Sequence, residues 1–273
     1  MLKNKGPQLR KTGIALAAFA CAAFAPAVFA APLNLSDGDT IKIDRSGGAV
    51  GGAFGGGEFR ATGMSVLNGS SGSFLTFCVE FPEHIALGGV YYVDVDTKAQ
   101  NGGAGVSGYG GYDVNGVAGS YDPLSKGTAW LYTQFSNNTL DTAHGVAYNF
   151  APTAANGNSL QLAIWNLEDE LTGSATNSSS TLYAFNHDAV AQNWASVAKT
   201  QGALWSDVGR VRILNLYDTR SGTPGNYTFS GNHQDQLYIV PIPEPETYAM
   251  LLAGLGLLGF AARRRKLKEG VAA

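Results

Sequence analysis

Cys78 offers the most chemistry in this chain, because a thiol can pack, ligate, oxidise or attack. It sits in the apolar stretch Phe77-Cys78-Val79-Glu80-Phe81. The other cysteine, Cys21, falls in an N-terminal leader, so the mature body keeps a lone thiol and can form no internal disulfide. Two roles stay open for that thiol: a small buried hydrophobe, as free cysteine commonly is, or a nucleophile kept for a particular partner. A second polar group stands out by position. Leu160-Gln161-Leu162-Ala163-Ile164-Trp165 puts a glutamine early on an apolar helix, with an aromatic residue one turn further on.

The remaining chemistry-bearing residues are less pointed. Glu168-Asp169-Glu170 and Asp94-Val95-Asp96 carry the oxygen donors that calcium prefers, but neither follows an EF-hand-type loop. They read as a solvated helix face and an ordinary strand edge. His84, His144, His187 and His233 are scattered without zinc-ligand spacing, and Asp188 beside His187 reads as a surface pair on a helix. There is no Gly-x-Ser-x-Gly nucleophile elbow and no Gly-x-Gly-x-x-Gly turn between strand and helix. The sequence therefore predicts no catalytic residues, no metal and no cofactor, and a protein that is not an enzyme.

The elements that carry these residues lie between two address segments. At the N-terminus, Lys3, Lys5, Arg10 and Lys11 precede an apolar run from Gly13 to Phe24, and Val28-Phe29-Ala30 supplies small residues for cleavage. Residues 1–30 are expected to be a signal peptide that is removed. At the C-terminus, Pro243-Glu244-Pro245 fixes an extended peptide. An apolar run from Tyr248 to Ala262 follows, then Arg263, Arg264, Arg265 and Lys266. Residues 248–262 at ~1.5 Å per residue reach roughly 22 Å, short of a ~30 Å hydrocarbon core. Such a helix crosses if the bilayer thins and the flanking cations snorkel to the headgroups. The expectation is a single transmembrane helix at 248–262 and a cytoplasmic tail at 267–273, with the body outside by the positive-inside rule.

Val240-Pro241-Ile242-Pro243-Glu244-Pro245, the Leu- and Gly-rich run and the arginine cluster together resemble the PEP-CTERM sorting signal of Gram-negative bacteria, over residues 240–266. The same signal has been labelled an ice-binding-protein C-terminal motif, but the body lacks the repeated Thr-x-Thr that a flat ice-binding face would need. The resemblance implies processing by an exosortase, with Pro243, Glu244, Pro245, Arg263, Arg264 and Arg265 as its recognition features. It further implies transient residence in the inner membrane, then delivery to the cell surface or the exopolysaccharide matrix.

Residues 31–239 remain as one ectodomain of roughly 210 residues, enough for a single real core. Nine Lys and Arg face eighteen Asp and Glu there, a net charge of about −9. That surface argues against nucleic acid as a partner. Alternation and apolar runs predict strands at 40–44, 74–81, 90–95, 208–217 and 236–240. Glycine-dense loops are expected at 47–57 and 102–121. Helices are expected around 129–135, at 160–171 on the spacing of Leu160, Ala163, Ile164, Leu167 and Leu171, and at 181–200. The class is α+β and β-rich: a β-sandwich-like ectodomain with helices inserted in the middle.

Within that domain, the Phe77-Cys78-Val79-Glu80 segment and the Gln161-to-Trp165 segment resemble the two halves of the thioester domain of Gram-positive surface adhesins. The resemblance implies that Cys78 condenses with the Gln161 side-chain amide to an internal thioester, with Phe77 and Trp165 as pocket walls. The function implied is covalent attachment to a polysaccharide or surface-protein target. The alternative is a non-covalent structural or binding protein of the matrix, with Cys78 inert.

Overall fold

A computed structural model describes residues 33–46, 53–81, 83–100, 121–140, 147–148, 155–242 and 251–258. The expected signal peptide, Cys21, His144, most of the second glycine-rich stretch, Pro243 to Pro245 and the arginine cluster lie outside them. Six strands form one antiparallel sheet: β1 (Thr40–Arg45), β2 (Phe59–Ser65), β3 (Ser73–Thr76), β4 (Val90–Asp96), β7 (Val211–Thr223) and β8 (Asn226–Ile239). Their order across the sheet is β3-β2-β1-β4-β7-β8. Two short strands, β5 (Lys98–Gln100) and β6 (Tyr121–Pro123), pair separately. Alternation is clean where one face is covered: Ile41 and Ile43 of β1, and Tyr91 and Val93 of β4, point into the core.

The two ends of this sheet meet. Beyond β3 the chain runs on through Phe77 and Val79 and pairs antiparallel with β8, the opposite edge. Cys78 bridges to Gln236, Leu237 donates to the Phe77 carbonyl (3.0 Å) and Val79 donates to that of Asp235 (3.0 Å). The sheet is thus curled on itself, and the inner end of β8 is covered over residues 235–237 instead of presenting an open row of donors and acceptors. The expected sandwich of two sheets is corrected to one curled sheet. The cause is a long-range pairing that no local pattern announces.

Four helices pack together, and α1 also packs onto β7 and β8: α1 (Lys126–Ser136), α2 (Ala155–Leu167), α3 (Thr181–Asn186) and α4 (Ala189–Gly202). Ser125 caps α1 by accepting from the Thr128 N–H. In α2, every residue from Leu160 to Trp165 is essentially buried, so this is a central helix rather than a surface one. It ends before Asp169, whose φ of 59° breaks the helical path. The single helix expected at 181–200 is two. Asp188 leaves the helix at φ −111° and caps α4, its carboxylate accepting from the N–H groups of Val190 and Ala191. It is a cap and not the surface partner of His187.

Two acidic groups also differ from expectation. Glu168 and Glu170 are buried (6% and 0% exposed), not solvated, and Asp94 is half-buried on β4, opposite Asn215 of β7. The β7–β8 hairpin is longer than expected at both ends of its turn. Its outer half projects into solvent, and Arg220 stacks between Tyr92 and Tyr227 while donating to the Gly38 carbonyl. Within the expected membrane span, residues 251–258 are helical and exposed, and the rest of 248–262 lies outside the described residues. None of the described helices is long and apolar enough to cross a membrane.

Candidate functional site

The seam where the sheet closes carries Cys78, and α2 runs beside it. A glutamine buried on every side must find partners for its amide, and Gln161, fully buried, finds them on the Cys78 segment. Its Nε2 donates to the Cys78 carbonyl oxygen (2.7 Å), and its Oε1 accepts from the Cys78 N–H (3.1 Å). The same Oε1 accepts a second backbone N–H, that of Gly57 (3.3 Å). The side-chain amide is therefore fixed against the backbone of the one residue that bears the thiol, with two N–H donors on its carbonyl oxygen.

Gly57 reaches that oxygen because the glycine-rich stretch folds over α2. Gly57 sits at φ 111°, open to glycine and strained for other residues. A Cβ on Gly56 would stand 2.6 Å from Trp165 Cη2 and 2.8 Å from Gln161 Cγ, so only glycine permits this approach. Trp165 is fully buried beneath it and meets Phe81 edge to face (centroids 5.1 Å apart), and Phe81 meets Phe54 in the same way. Among the described residues the Trp165 indole N–H has no acceptor. Phe77, the other expected wall, packs edge to face on Phe135 of α1 (5.1 Å).

Sequence reasoning missed a second amide here. Gln236 of β8, fully buried, donates from Nε2 to Cys78 Sγ (3.5 Å) and to the Gln234 carbonyl oxygen. Its only sequence signal is a glutamine in an otherwise strand-like run, which is too common to single out. Burial pushes the Cys78 thiol up to about 12, against the smaller opposing effect of the Gln236 hydrogen bond. The thiol is protonated at neutral pH and closed to solvent. Around the seam, Tyr132 of α1 places its hydroxyl within hydrogen-bond distance of both the Leu75 and Leu237 carbonyls, fastening helix to closure.

Carboxylates crowd the same region. Glu170 accepts from the Phe81 N–H (3.2 Å), and Glu168 accepts from both the N–H and the hydroxyl of Ser125, the cap of α1. Burial holds both carboxyls up at about 7. Glu80, Glu83 and Asp235 stand together at the lower end of the seam.

A profile of the PEP-CTERM protein-sorting motif family matches residues 241–266, directly after β8. No curated protein and no solved structure matches the chain. The matched motif marks the chain for exosortase-dependent export and membrane-associated sorting towards the cell surface, with an exosortase as its processing partner.

Proposed function

We propose that this is a surface or matrix protein that attaches covalently through a Cys78–Gln161 thioester, after export of its body and removal of its sorting tail by the exosortase. The observation that carries the reading is the Gln161 amide, held on the Cys78 backbone with two N–H groups aimed at its carbonyl oxygen. In the condensation, Cys78 Sγ attacks Gln161 Cδ, the new Sγ–Cδ bond replaces the Cδ–Nε2 bond, and ammonia leaves carrying the thiol proton. The Gly57 and Cys78 N–H groups stabilise the negative oxygen of the tetrahedral intermediate. Burial then keeps water from the product. When an amine or hydroxyl on a target attacks, the acyl group passes to it and Cys78 recovers the proton the nucleophile gives up. Neither step needs a cofactor.

Mass spectrometry of the intact protein tests this. The expected mass is one ammonia below the sequence mass, restored to full mass in Cys78→Ala, and methylamine adds at Gln161. Full mass in the wild type, with rapid alkylation of Cys78 once the chain is unfolded, would refute it. The second reading is a non-covalent matrix protein with an inert cysteine. It is favoured by the protonated state of the thiol, since the thiolate is the nucleophile.

A further inference from the structure

We propose that Glu80, Glu83 and Asp235 bind a divalent cation, calcium by preference, where the Cys78 segment is seamed to β8. One oxygen from each of the three lies within 4.8 Å of the others, the spread of ligands around a single ion. Glu80 is fully buried, yet among the described residues neither of its carboxylate oxygens has a hydrogen-bond donor, and Glu83 Oε2 has none either. A buried carboxylate without a donor is costly, and native structures compensate it with a partner. The backbone around the cluster is already fixed. Val79 donates to the Asp235 carbonyl, Gln234 Nε2 donates to the Glu80 carbonyl (2.8 Å), and Asp235 Oδ1 accepts the Leu216 N–H at the bulge of β7. The three side chains are thus held close by strands that cannot easily separate.

An all-oxygen, all-carboxylate donor set selects a hard cation. Calcium suits it better than magnesium, because calcium accepts irregular oxygen cages whereas magnesium demands an octahedron and retains its waters. Glu83 is only half-buried and gives the ion a way in. Without an ion, burial and the charges of Asp235 and Glu83 push Glu80 up to about 12, and burial pushes Glu83 up to about 7. The one alternative occupant is a proton shared between the two glutamates.

The site does not depend on the thioester, and the experiment keeps the two apart. The full chain in detergent is stripped with chelator, and its melting midpoint is followed as calcium chloride is added. A saturable rise is expected within the millimolar range typical of extracellular modules, with one bound calcium per chain. Magnesium should give a smaller rise. Glu80→Gln should abolish the calcium response. Glu83→Gln, at the half-buried rim, should move the calcium midpoint by at least the ~10-fold typical of losing even an outer contact. Cys78→Ala should keep the full response. No rise in the wild type, or an unchanged rise in Glu80→Gln, overturns the site and leaves the shared proton as the occupant.

Discussion

Gly56 is the residue on which the seam's cover depends. A methyl group there would press on Trp165 and Gln161 together, and neither can retreat from a fully packed interior. Gly56→Ala should cost about 1–3 kcal/mol, the usual penalty of overpacking, read as a fall in the urea midpoint. Trp165→Ala acts oppositely, leaving a void beneath Phe81. It should cost about 3–5 kcal/mol, measured the same way. These roles were partly legible in the sequence. The helical turn from Gln161 to Trp165 is a local pattern, and so is the apolar extended run that leads from β3 to Cys78. Gly56 and Gly57 read only as loop, because a glycine's need for a close approach shows only once the approaching group is known.

At the scale of elements, the helices were the best announced. Leu160, Ala163 and Ile164 repeat at helical spacing, and α2 buries all three. The break between α3 and α4 had a signal as well, in the aspartate before Ala189, but the apolar pattern continues through it and hides the stop. Because Asp188 satisfies two N–H groups at the start of α4, Asp188→Ala should lose about 0.5–2 kcal/mol. Circular dichroism on thermal melting would register the loss. The outer β7–β8 ribbon was invisible for another reason. From Asp218 to Ser230 its residues are mostly exposed, so no core-facing alternation marks them as strand. The closure of the sheet left no trace at all, since Cys78 and Gln236 are near neighbours only in space.

For the whole molecule, acidity has a stability signature. Asp94 and Asp122 are raised to about 6, each first by burial and then by neighbouring carboxylates, and Glu168 to about 7, first by burial. A carboxyl raised on folding binds its proton more tightly in the native state than in the unfolded one. That contribution is complete below the unfolded value near 4 and is lost as pH climbs through the folded one. In chelator, the melting midpoint should therefore be higher at about pH 5 than at about pH 8. Double substitution to Asp94→Asn and Asp122→Asn should flatten the difference.

The place where the tail joins the body has a mechanical side. β8 ends at Ile239, the sorting motif begins at residue 241, and Val240 is still tied to the Arg210 carbonyl. Any tension arriving through the C-terminus therefore enters the body along β8. That strand shares the load with β7 on one side and with the Cys78 segment on the other. The pull is directed along the strands, so many bonds must shear together instead of opening one by one. Gln161 hangs from the same segment, so the proposed thioester would lie only a short route from the C-terminal end of β8. Most of the domain can stay slack while that route bears the strain.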